Sequence, residues 1–299
     1  MSFRPCIALT AGDPAGVGPE ILRALLAAGS LPDGFEYDLL GMPSEVVAGV
    51  PTAAGARAAF DALEQAVAGG LSGRYAAVVT GPIHKARMRE VGFSFPGQTE
   101  FFATRCQCPN HAMLLTGGRI TVALVTAHVP LRDVSSLLSV SEITRVGLLL
   151  ADFLALRLGH SPRIAVAGLN PHAGESGLLG HEEQAVIAPA VEALGRSGRA
   201  RFSGPHSPDT LFHRVAEGEF DGVLCMYHDQ GLIPLKLAAF HEGVNVTLGL
   251  PFPRTSPDHG TAFEIAGKGQ ARPESMLAAV RLAAELATRR VPQHPPLGR

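Results

Sequence analysis

The chain has 299 residues, of which 46% are hydrophobic and 17% charged, and its 25 Lys plus Arg against 27 Asp plus Glu give a formal net charge of -2. This composition excludes a disordered chain, and basic residues scattered rather than gathered in a stripe argue against a nucleic-acid partner. At about 100 to 200 residues per domain, the length favours two domains.

In chain order, short runs rich in Val, Ile, Leu and Ala at residues 6–10, 75–80, 120–126, 163–169, 222–226 and 244–250 read as strands buried on both faces. Amphipathic patterns at 19–28, 53–67, 139–158, 182–194 and 275–288 alternate with them and read as helices. Ser139 and Glu142 stand at capping-box spacing, Ile143, Val146, Leu150 and Phe153 repeat at helical period, and Gly159 is placed to close that helix. Residues 146–156 form the most apolar long stretch, yet Asp152 interrupts it and it falls short of the roughly 20 residues of a membrane span. The three prolines of 291–299 predict a frayed end. Cys6, Cys106, Cys108 and Cys225 form no C-x-x-C pair, and no apolar export segment is visible at the start, so a cytoplasmic setting is expected.

The alternation predicts an α/β fold of two α/β/α domains with a cleft between them: residues 1–110 plus 246–299, and residues 111–245. The expected strand ends carry polar loops: Gly12 to Glu20, Gly81 to Lys85, Ala127 to Pro130, Asn170 to Glu175, and Tyr227 to Gly231. Because α/β folds collect ligands at the carboxyl ends of strands, five such loops are expected to face one site. Three of them supply a histidine, His128, His172 and His228, each a candidate ligand for a catalytic metal or a plain loop histidine bonded to backbone. His181-Glu182-Glu183 is expected at a helix start, and His241-Glu242 in a loop. Glycines 12, 16 and 18 do not make G-x-G-x-x-G, and residues 81–85 are not a Walker loop. The late glycine-rich turn from Asp258 to Gly269 has small residues that let a flat base approach, with Glu264 able to accept both hydroxyls of a ribose.

Gly12-Asp-Pro-Ala-Gly-Val-Gly-Pro-Glu20, Asn170-Pro-His-Ala-Gly-Glu175, Tyr227-His-Asp-Gln-Gly231 and Arg254-Thr-Ser-Pro-Asp-His-Gly-Thr-Ala262 resemble, in order, the signature blocks of the 4-hydroxythreonine-4-phosphate dehydrogenase family of vitamin B6 biosynthesis. The last block also resembles the adenosine-binding segment of isocitrate and isopropylmalate dehydrogenases. The resemblance implies that fold, and a homodimer with active sites at the subunit interface, the second domain carrying that interface. It implies a divalent metal (zinc, magnesium, manganese or cobalt) held by His128 and His172 of one subunit and His228 of the other. Gln98, Thr99, Lys236, Asn245 and Arg254 would contact substrate, while His259, Gly260, Thr261, Ala262 and Glu264 would bind NAD, or NADP if Lys268 or Arg272 offsets Glu264.

The implied reaction oxidises 4-(phosphooxy)-L-threonine to a 3-keto acid that decarboxylates to 3-amino-2-oxopropyl phosphate. Lys236, Asp229 and Asp209 are the candidate proton acceptors. One departure stands out: Gln98 replaces the histidine of the family's Gly-His-Thr-Glu, and an amide cannot act as acid or base. The alternatives are a relative acting on threonate or erythronate 4-phosphate or on an aromatic cis-dihydrodiol carboxylate, a non-catalytic metabolite-binding protein, and a metal-dependent hydrolase.

Overall fold

The computed structural model describes residues 4–42 and 46–289; the proline-bearing segment 291–299 lies outside them. The strands are β1 (Cys6–Thr10), β2 (Glu36–Leu40), β3 (Tyr75–Thr80), β4 (Ala112–Gly117), β5 (Ile120–Leu124), β6 (Arg163–Ala167), β7 (Arg201–His206), β8 (Gly222–Cys225), β9 (Val244–Leu248) and β10 (Arg254–Pro257). The helices are α1 (Gly18–Ala27), α2 (Ala53–Leu71), α3 (Lys85–Glu90), α4 (Gln98–Arg105), α5 (Val134–Leu137), α6 (Val140–Leu158), α7 (Ala188–Arg196), α8 (Pro208–Ala216), α9 (His228–Ala239) and α10 (Glu274–Arg289). The fold is α/β, with all the strands in one 10-stranded sheet of order β2-β1-β3-β10-β9-β4-β5-β8-β6-β7.

At one end of the sheet β2, β1, β3 and β10 are mutually parallel, and at the other so are β5, β8, β6 and β7. Between them stand the antiparallel junctions β10–β9, β9–β4 and β4–β5. Three reversals are an odd number, so the two parallel groups run in opposite directions. The polar loops after β1 and β3 therefore leave their strands in the opposite direction from those after β5, β6 and β8, so the sheet is not doubly wound throughout, yet the loop after β3 and His128 after β5 still meet at one cavity.

Central strands are apolar on both faces because helices cover both: Ile7, Ala8 and Leu9 on β1 and Val122, Ala123 and Leu124 on β5 are buried. The expected cap of α6 is present, with Glu142 N–H donating to Ser139 Oγ at 3.1 Å and Gly159 left-handed at φ 74°, and its stripe Ile143, Val146, Leu150 and Phe153 is core. The helix expected over 182–194 is present, and its first part, Glu183–Ile187, is π-helical before it runs on as α7.

Strands β2, β4, β7 and β10 escape the hydrophobic pattern for identifiable reasons. β2 is an edge strand with Glu36 and Asp38, β7 carries Gly204-Pro205, and β10 is the polar run Arg-Thr-Ser-Pro. β4 forms a hairpin with β5, closed by the two residues between the paired Gly117 and Ile120.

Candidate active site

A cavity of about 300 Å³ opens between the end of β3, the first turn of α4, and strands β9 and β10. Gln98, Thr99, Asn245 and Arg254, four of the residues expected to contact substrate, line it together with His128. Its floor is held by close backbone contact: Asp13 N–H donates to Pro82 O at 2.8 Å, and a Cβ on Gly12, whose φ is +73°, would stand 2.2 Å from that oxygen.

Arg254 is 2% exposed, and burial pushes its guanidinium down to about 9 while the nearby Glu100 carboxylate opposes that shift. It donates to Thr247 Oγ1 at 3.2 Å, to Gln98 Oε1 at 2.9 Å and to Thr80 Oγ1, and its Nε has no partner. Gln98 in turn donates from Nε2 to Gly81 O at 3.0 Å. The amide that replaces the family histidine thus clamps Arg254 to the loop after β3, a task that needs one donor and one acceptor but no titrating proton. Lys85 and Glu100 line the same cavity and were missed as site residues, although Lys85 ends the polar loop from Gly81 and Glu100 ends the Gly97-Gln98-Thr99-Glu100 motif.

A larger cavity of about 540 Å³ adjoins it and shares Asp258, His259 and Gly260 as walls. Val17, at the N-cap of α1, and Ile21 of α1, with Ala262, give it apolar sides, and His259 Nε2 is buried without a partner. The early and late motif blocks meet here, where Val17 N–H donates to Thr261 O at 3.0 Å. Lys236 lines this cavity rather than the smaller one, with Nζ 3.1 Å from Asp258 Oδ2. Glu264 is exposed and off the cavity wall, so it is not placed to take a ribose there; Arg272 is on the wall.

A third cavity, about 260 Å³, contains His128, His228 and Asp229. The rings of His128 and His228 lie 5.7 Å apart between centroids, because β5 and β8 are neighbouring parallel strands whose ends deliver them side by side. Burial holds His128 below the ordinary imidazole range, which favours the neutral form that ligates metals. Asp229 Oδ1 is 2.7 Å from His228 Nδ1.

Within one chain, then, His128 pairs with His228, whereas the resemblance puts His128 with His172. Among the described residues no group of three His, Cys, Asp or Glu side chains is arranged to hold a metal ion. His172 sits apart on a left-handed turn in which φ is 51°, 51°, 81°, 43° and 57° from His172 to Ser176. Glu183, 3% exposed, holds this turn's entry, accepting from the N–H groups of Leu169 and Asn170 at 2.7 Å each and from Asn170 Nδ2 at 2.9 Å. Asp209 is fully exposed, and the Ser207 hydroxyl, donating at 2.6 Å, holds its carboxyl below the usual range, which makes it a weak base.

Comparison with known proteins decides the family. Residues 28–283 match the family described as pyridoxal phosphate biosynthetic protein PdxA. The chain belongs to the PdxA family. It is 44% identical to a 4-hydroxythreonine-4-phosphate dehydrogenase of Caulobacter vibrioides over 97% of this chain and 99% of that protein. The crystal structure of the Klebsiella pneumoniae 4-hydroxythreonine-4-phosphate dehydrogenase superposes with a TM-score of 0.80 at 38% identity, covering 95% of this chain and 100% of the other. A terephthalate 1,2-cis-dihydrodiol dehydrogenase of Burkholderia xenovorans gives a TM-score of 0.69 at 27% identity over 94% and 98% of the two chains. A β-decarboxylating dehydrogenase of Thermococcus kodakarensis, at 16% identity, TM-score 0.56 and coverage of 95% and 84%, shares the fold alone. These likenesses place the PdxA-family chain among oxidoreductases.

Proposed function

We propose that the chain oxidises 4-(phosphooxy)-L-threonine with NAD, giving a 3-keto acid that loses carbon dioxide to form 3-amino-2-oxopropyl phosphate. The observation that carries this is Arg254, a buried cation in a substrate-sized cavity with one donor nitrogen unsatisfied. An anionic ligand supplies what that nitrogen lacks. Thr99 and Asn245 add polar contacts, and Gln98 fixes the guanidinium. Of the candidate proton acceptors, Lys236 alone reaches the wall shared by the 540 Å³ and 300 Å³ cavities, through its ion pair with Asp258, and we assign it the proton.

The larger cavity suits a dinucleotide: apolar walls fit a base, and the orphan His259 nitrogen fits a polar ligand. His259, Gly260 and Ala262 would hold the cofactor, which when bound accepts the hydride. His128 and His228 are the right donors for a divalent metal, which when bound lowers the pKa of a ligated alcohol, but within one chain the set stops at two. A second copy is the proposed source of the third, His172. Ile233, Leu237 and Phe240 form an exposed apolar face on and just past α9, with Leu237 89% exposed, which supports a homodimer. We further propose that residues 1–110 plus 246–299 and residues 111–245 act as two lobes, and that the protein works in the cytoplasm.

NADH formation with 4-(phosphooxy)-L-threonine, after chelation and after adding back each divalent metal, tests this. Metal-restored turnover is expected. The likeness to the terephthalate dihydrodiol dehydrogenase supplies the second reading, and turnover confined to an unphosphorylated diol acid would replace the first with it.

A further inference from the structure

Two acceptor atoms on residues of the small cavity are buried without a hydrogen-bond partner, Glu100 Oε2 and Asn245 Oδ1. Buried polar atoms are nearly always paired, and a carboxylate oxygen is the costliest kind to leave alone, so an unpaired one on a residue that lines a ligand cavity points to what the ligand brings. Glu100 stands in the first turn of α4, and its other oxygen, Oε1, lies 4.0 Å from His128 Nδ1. Lys85 lines the same cavity but forms no ion pair with Glu100 among the described residues. A second inorganic cation is a poor match, since the divalent metal proposed above already takes His128 and no group of three ligating side chains includes Glu100 among the described residues.

The unmet demand is for hydrogen-bond donors carrying positive charge. A primary ammonium provides three donors and a charge, whereas a hydroxyl provides one donor and none. We infer that Glu100 receives the α-ammonium group of a phosphorylated amino acid, Asn245 Oδ1 taking a second N–H, with Arg254 on the anionic part of the same molecule. This rests on the cavity being the substrate site. Glu100 then makes this dehydrogenase select an amino acid over the hydroxy acid of equal length.

A thermodynamic cycle tests the assignment. Calorimetry on the metal-loaded protein measures binding of 4-(phosphooxy)-L-threonine and of threonate 4-phosphate, its 2-hydroxy counterpart, to wild type and to E100Q. Wild type is expected to prefer the amino ligand by about 10- to 100-fold, the range for a hydrogen bond to a charged group, and E100Q to lose most of that preference by weakening the amino ligand alone. Equal losses on both ligands would assign Glu100 to orienting His128 and overturn the proposal, as would unchanged affinity for the amino ligand. If E100Q does not fold, wild type is titrated with N-acetylated 4-(phosphooxy)-L-threonine. Rejection supports the contact, and binding as tight as the parent overturns it. Wild type that binds neither phosphorylated ligand yet oxidises a diol acid shows instead that the underlying reading of the site has failed.

Discussion

Arg254 and Glu183 are both charged side chains almost sealed from solvent, and neither has an ion-pair partner among the described residues. They differ in how their hydrogen bonds close. Both oxygens of Glu183 are taken, by two backbone N–H groups and the Asn170 amide, so the group is complete within the protein. Arg254 meets only neutral oxygens, from Thr80, Thr247 and Gln98, and Nε remains unpaired. A satisfied buried charge holds structure, whereas an unsatisfied one is held by structure for something that arrives later. The depressed pKa of Arg254 says the same in energetic terms, since its charge is disfavoured where it sits.

The largest expected effect is on the complete side of this contrast. Glu183→Ala leaves the N–H groups of Leu169 and Asn170 unpaired, the Asn170 amide keeping its bond to Glu182, and frees a turn whose four non-glycine left-handed residues are each strained by about 1–2 kcal/mol, so it should lose about 3 kcal/mol or more in urea unfolding. A loss under about 1 kcal/mol would erase the difference between the two buried charges. Arg254→Met should do the reverse: KM for the phosphorylated substrate rises about 10- to 100-fold, while the melting temperature holds or increases because an unfavourable buried charge is gone. A clear drop in melting temperature would make Arg254 structural as well.

A smaller effect is pH dependence around the cavity. Burial holds His128 below its ordinary value of 6.5, so as pH falls the unfolded chain takes up that proton before the folded one does. Stability should therefore fall from about pH 6.5 down to the depressed folded value, and His128→Asn should flatten that slope in urea titrations across the range. His206, likewise depressed by burial, sets a residual slope that His128→Asn leaves in place. The smallest effect is expected of Gln98→His. A neutral imidazole can accept from Arg254 much as the amide does, and KM should move by less than about threefold. A tenfold gain would show the amide to be a defect rather than an equivalent clamp.

Legibility followed the range of the interactions involved. The buried strands and the cap and stripe of α6 were readable because apolar periodicity and capping are local. β10 was hidden because its polar run is buried by β3, β9 and α10, of which β3 comes from residues far away in the chain. Glu183 looked like a helix-start residue, and only the fold shows that it closes the His172 turn. Gln98 looked like a loss of chemistry until Arg254 appeared against it, 156 positions along the chain.

By itself, then, the sequence determined the α/β class, the motif blocks and the family they resemble, since these are written in neighbouring residues. Tertiary structure alone decided that His128 meets His228 rather than His172, that Lys236 faces the larger cavity, that Glu264 stays outside it, and which charges are left unpaired. Those facts depend on strand order and on three antiparallel reversals, and the cost of a buried charge is set by whatever distant segments come to surround it.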